Sequence, residues 1–188
     1  WLGADTPRGC FDLTPCIDRK GFEILNVNGS LDQTVVLSPK APSSLSKRIR
    51  HRPRQSTKAK DWIESSTDHQ LLFFIRFEAR VTVDSIQITS PLVSGGEEGE
   101  DDTPSRPRLI KVFVNPLHAI EFDEAGDSTP TLTANLKASD WGSDTSTAAI
   151  ATRSPKFQRV SSLCLFFEES ERPEAEQTRL DRIRIIGK

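Results

Sequence analysis

The sequence predicts an all-β domain, an antiparallel sandwich or barrel with long charged loop insertions. Three observations predict it. The apolar residues fall in short runs that alternate in and out. Proline and glycine sit mainly between those runs, where they terminate strands. No segment sustains a helical period, so the crossover helices of a parallel βαβ sheet are missing.

The elements follow in chain order. Leu13 to Leu25 has room for a helical turn, with a weak strand at Phe22–Leu25 and another at Thr34–Leu37. The clearest strand runs from Leu71 to Val81. Its odd positions Leu71, Phe73, Ile75, Phe77 and Ala79 are apolar, while Arg76, Glu78 and Arg80 face the other way. At its start Leu72 and Phe74 make both faces apolar, which predicts cover on both sides. Val83–Thr89 sets Ile86 and Ile88 against Ser85 and Gln87. Leu109–Val114 points Ile110, Val112 and Val114 together, and Thr131–Leu136 does the same with Leu132, Ala134 and Leu136. Lys156–Val160 is a weak strand. Ser162–Phe167 places Leu163, Leu165 and Phe167 opposite Cys164 and Phe166. Leu180–Ile186 places Ile183 and Ile185 inward and Arg182 and Arg184 outward.

The chain of 188 residues suits one domain. Residues 1–9 read as a linker and 10–188 as the domain. Three stretches break the strand pattern and read as insertions: about 38–60, rich in Ser, Pro, Lys and Arg; 91–107, carrying an acidic run; and 138–155, small and polar around Trp141. The absence of methionine, even at the start, marks the chain as a fragment or a processed product. No apolar run approaches the roughly 18 to 20 residues of a membrane span. A net charge of −2 provides no global field for nucleic acid or anionic membrane. Three cysteines, Cys10, Cys16 and Cys164, form no C-x-x-C pair. That argues against a disulfide framework and a zinc knuckle, and for a reducing compartment.

Six blocks carry a family resemblance. They are Asp12-Leu13-Thr14-Pro15 with Glu23-Ile24-Leu25-Asn26; Asp68-His69-Gln70 leading into the Phe-rich strand; Ile110 to Pro116; Glu121-Phe122-Asp123-Glu124-Ala125; Lys156 to Leu163; and Arg182 to Gly187. In this order they resemble the PITH domain, found in thioredoxin-linked and stand-alone forms. The opening Asp5-Thr6-Pro7-Arg8-Gly9 is closer to the thioredoxin-linked branch. The resemblance implies a jelly-roll, galactose-binding-like sandwich that docks onto the 26S proteasome at its regulatory particle. This sequence departs from the family in its three long insertions, its lack of tyrosine and Cys10 where an aromatic residue is expected. It also stops at Lys188, short of the tail that follows the last strand in the thioredoxin-linked proteins.

Local chemistry adds little to this. His51, His69 and His118 lie in no nucleophile signature, so no enzyme is expected within the chain. The acidic residues have no EF-hand spacing, and no cofactor or metal is expected. The most distinctive feature is basic. No acidic residue lies between Asp32 and Asp61, and Lys47, Arg48, Arg50, Arg52 and Arg54 cluster there. These residues are candidate contacts for a nuclear import receptor, a nucleic acid or an acidic protein patch, weighed equally against a loop with no essential role. Nucleic acid is the less favoured partner, because aromatic residues are not interleaved with the charges. Trp62, Trp141 and Phe166 are the candidate surface aromatics, with core packing preferred for Trp62. Trp141, beside Asp140 and Asp144, is the platform for the alternative function, a small-ligand or glycan-binding module. A monomer is the default, located in the cytoplasm and the nucleus.

Overall fold

A computed structural model describes residues 1–28, 32–45, 60–92 and 103–188. In chain order the strands are β1 (Phe11–Asp12), β2 (Glu23–Leu25), β3 (Ile63–Glu64), β4 (Leu71–Val81), β5 (Val83–Thr89), β6 (Pro107–Val114), β7 (Leu132–Asn135), β8 (Thr147–Ala151), β9 (Val160–Ser170), β10 (Arg179–Leu180) and β11 (Arg182–Gly187). One short helix, α1, spans Phe122–Asp127. A five-stranded sheet runs β2-β4-β9-β6-β7 and a four-stranded sheet β1-β11-β5-β8. Every pairing in both is antiparallel. β3 and β10 form a separate two-stranded ladder.

The alternation in the sequence sets the core. Leu71, Phe73, Ile75 and Phe77 of β4 meet Leu163, Leu165 and Phe167 of β9 and Ile110 and Val112 of β6 on the inner face. Ile86 and Ile88 of β5 and Ile183 and Ile185 of β11 face them from the other sheet. Phe73 and Phe167 pack edge to face, with ring centroids 5.1 Å apart. The outer face of the five-stranded sheet is covered too. Leu72, Phe113, Cys164 and Phe166 form a second cluster with Ile120 and with Ala125 of α1. Phe166 is therefore buried, not a surface aromatic. Helix α1 has fewer than two turns, too few to register as a period.

The structure corrects the sequence reading at several elements. Thr34–Leu37 lies within a 3₁₀ helix, Gln33–Leu37, because the Asp32 side chain accepts from the Thr34 N–H and caps it. Lys156 and Phe157 also belong to a 3₁₀ turn, begun by Pro155 after the Ser154 cap, and the strand starts only at Val160. The stretch 138–155 is not all loop, since it contains β8, the edge of the four-stranded sheet.

The largest correction concerns Arg182 and Arg184. Both are about 1% exposed, although alternation placed them outward. The outer face of the four-stranded sheet is covered by residues 32–45 and by the N-terminal segment. Arg182 donates to the carbonyls of Lys40 and Asp61 and to Asp61 Oδ2 at 2.8 Å. Arg184 donates to the carbonyls of Ile183 and Ser38 and pairs with Asp12 Oδ2 at 3.2 Å. Burial pulls the Arg184 guanidinium below its ordinary value, and the Asp12 carboxylate opposes that shift. Residues 1–9, read as a linker, also touch this face. Gly3 is buried, and the Ala4 and Asp5 carbonyls accept from Gln87 Nε2 at 3.1 and 3.2 Å.

Candidate functional site

β7 ends one sheet and β8 ends the other, and the two edges border the same open groove of about 680 Å³. Gly3 to Asp5 and the turn around Asp140–Thr145 complete its walls. Gly3 is needed there, because a Cβ on it would lie 2.0 Å from Thr147 Oγ1. Trp141 lines the groove but is only 7% exposed. The Arg106 guanidinium sits 5.1 Å from its ring centroid and pairs with Glu171 Oε2 at 2.9 Å. Asp140 spends one carboxylate oxygen on the Lys137 N–H, at 2.7 Å. Trp141 is thus packed into a wall, and Asp140 is a turn cap that also faces the groove.

The basic candidates Lys47, Arg48, Arg50, Arg52 and Arg54 lie outside the described residues, as does His51. The flanks of that stretch are described. Ser43 donates from its N–H and its Oγ to the two oxygens of Asp61, at 2.9 and 2.5 Å. Ser44 Oγ donates to Asp181 Oδ2 at 2.5 Å. The chain therefore departs after Leu45 and returns at Lys60 close to one point. Burial pushes the Asp61 carboxyl up, but Ser43 and the Arg182 guanidinium outweigh it and hold the group below its ordinary value. Trp62 is half-buried beside this point, with the Arg179 guanidinium 3.9 Å from its ring and its Nε1 donating to Glu64.

Cys164, His69 and His118 sit in structural settings. Cys164 is buried, and desolvation pushes its thiol up to about 11. His69 Nε2 lies 3.1 Å from the Glu168 carbonyl, and His118 Nδ1 lies 2.9 Å from that of Ala119. Among the described residues, no three His, Cys, Asp or Glu side chains converge as a metal set.

Five of the six sequence blocks turn out to be joints of the scaffold. The first and last meet as the β1–β11 pair, closed by Asp12 and Arg184. Asn26, at φ 63°, donates through Nδ2 to Asp68 Oδ1 and the Gln70 carbonyl. Asn115, at φ 59°, accepts from the N–H and Oγ of Ser161. Gly187 passes so close to β4 and β5 that a Cβ would lie 1.9 Å from the Thr82 carbonyl oxygen. These positions need left-handed backbone or close approach.

A family model described as the PITH domain matches residues 3–188. The chain belongs to the PITH family. Thioredoxin-like protein 1 of Schizosaccharomyces pombe is 30% identical over 180 residues, covering 96% of this PITH chain and 52% of the relative. The chain thus spans about half the length of the curated relative it matches. Solved structures give the fold. The family 32 CBM from Clostridium perfringens NanJ, solved with galactose, aligns with TM-score 0.57 at 8% identity, covering 94% of this chain and 98% of its own. A fucose binding module of Streptococcus pneumoniae aligns with TM-score 0.55 at 7% identity, covering 98% of this chain and 100% of its own. The PITH domain is therefore a galactose-binding-like jelly-roll sandwich.

Proposed function

We propose that this PITH domain is a non-catalytic protein-interaction module that docks a thioredoxin-like protein onto the regulatory particle of the 26S proteasome. The observation that carries the reading is the family match over residues 3–188, together with a thioredoxin-like relative of which the chain covers only half. The geometry supports binding rather than turnover. Its two described histidines, His69 and His118, bond to backbone carbonyls, and its core thiol is held protonated. A rigid sandwich presenting loops is a scaffold for recognition. The role places the protein in the cytoplasm and the nucleus, as a monomer needing no cofactor.

The glycan-binding alternative rests on the solved neighbours. It needs an exposed aromatic face for a sugar ring, and Arg106 covers that of Trp141. Protein docking is therefore the stronger reading. Pull-down of purified 26S proteasome by the immobilised chain tests it, at physiological and at raised salt. Retention at physiological salt is expected. Loss at raised salt would assign the contact to the charged loops. No retention at either salt, by this chain or its full-length parent, would overturn the reading.

A further inference from the structure

The groove between β7 and β8 has an unusual property. Both of its long walls are sheet edges, and among the described residues neither is covered by a further strand. Natural edge strands are blunted by lysine, proline or a bulge, because unpaired backbone groups recruit other strands. β7 reads Leu-Thr-Ala-Asn and β8 reads Thr-Ala-Ala-Ile-Ala, with no charge and no proline in either. Their pairings with β6 and β5 run without a register shift.

The register says which backbone groups are free. Leu136 donates to the Arg108 carbonyl, so Leu136, Ala134 and Leu132 turn their N–H and C=O groups toward β6. Thr133 and Asn135 turn theirs toward the groove. On the other wall Thr152 donates to the Asp84 carbonyl, so Ile150 and Ala148 face β5, and Ala149 and Ala151 face outward. No hydrogen bond from another described residue reaches these four backbones. The side chains along β8 are mostly methyl-sized, so a second backbone can approach.

The charge is one-sided. Asp5 and Asp140 line the groove, and no lysine or arginine among the described residues does. We propose that this groove binds an extended, basic peptide segment of a partner protein, added as a strand to β8 with its cationic side chains toward Asp5 and Asp140. Backbone pairing would supply the affinity and the two carboxylates the preference. The inference holds whether or not the proteasome is the partner.

Selection from a random twelve-residue phage-displayed library on the immobilised chain tests it. Enriched peptides should alternate β-branched residues with Lys or Arg and contain no central proline. Their binding should weaken roughly tenfold in Ala149→Pro, which removes one outward N–H. It should weaken roughly fivefold in Asp5→Lys, an exposed change that leaves the fold alone. Exchange of the Ala149 and Ala151 amides should slow when a selected synthetic peptide is added. If Ala149→Pro does not fold, Asp5→Lys and the exchange data decide the matter. Failure to enrich any peptide, enrichment without basic residues, or peptides indifferent to both variants would overturn the proposal. So would a concentration-dependent dimer abolished by Ala149→Pro with no peptide enriched, which would assign the edge to a second copy of the chain.

Discussion

Asn115 shows how much of this fold depends on single side chains. Its left-handed backbone is tolerable for asparagine, and its Oδ1 holds the start of β9 through Ser161. Asn115→Ala should cost about 2 kcal/mol, from backbone strain plus two lost hydrogen bonds. Asn115→Gly should cost about half of that, because it relieves the strain and loses only the bonds. Urea denaturation of both variants separates the two contributions, and equal losses would deny the backbone one. Cys164 offers a second test. With its thiol pushed up to about 11 inside an apolar cluster, it should resist a thiol reagent at neutral pH until the protein unfolds, while half-buried Cys10 and Cys16 react first. Mass spectrometry of the labelled peptides reads the order. At this scale the sequence was legible where period two met a single core, as at Phe73, Ile75 and Phe77. It misled at Arg182 and Arg184, because the cover over them comes from residues about 140 positions away. Local alternation does not report that a second layer lies on the outer face.

The element that supplies this cover is the strap of residues 32–45. It holds two 3₁₀ turns and lies on β11 through the buried guanidinium groups. Arg182→Met would leave Asp61 without its cation and the Lys40 carbonyl without its donor. The cost should be about 2–4 kcal/mol, at the lower side for a pair whose acid is partly exposed. Amide exchange across 33–45 should rise more than across the sheets. Uniform acceleration would show that the strap is not a separate unit. Acid tests the same joint. The Asp61 carboxyl is held below its ordinary value in the fold, so between the folded and unfolded values the unfolded chain binds more protons. Its contribution is complete above the unfolded value and is lost as pH falls through the folded one. Asp61→Asn should lower stability at neutral pH and flatten the part of the acid decline that lies below about pH 4. Other elements escaped the sequence for plain reasons. Thr-Ala-Ala-Ile-Ala holds three alanines against two strand formers, Thr147 and Ile150, so β8 passed for loop. Trp141 drew attention as an exposed aromatic, yet its neighbour in space is Arg106, far off in the chain.

Across the whole molecule, the family blocks and the groove divide the labour. Asp12, Asn26, Asn115 and Gly187 close the sandwich, whereas the groove walls at β7 and β8 lie outside every block that carried the resemblance. The scaffold was thus legible through the residues that shape it, and the groove was not. Its chemistry is mostly backbone, and backbone groups leave no compositional trace. The basic residues Lys47 to Arg54 lie outside the described residues, so their role rests on the same binding assays. The central claim is docking, and one titration addresses it most directly. The labelled chain would be titrated with purified 26S proteasome, with isolated regulatory particle and with the 20S core. Saturable binding to the first two and none to the core is the predicted result. Absence of binding to all three, by this chain and by its full-length parent, or equal binding to the core, would contradict the account.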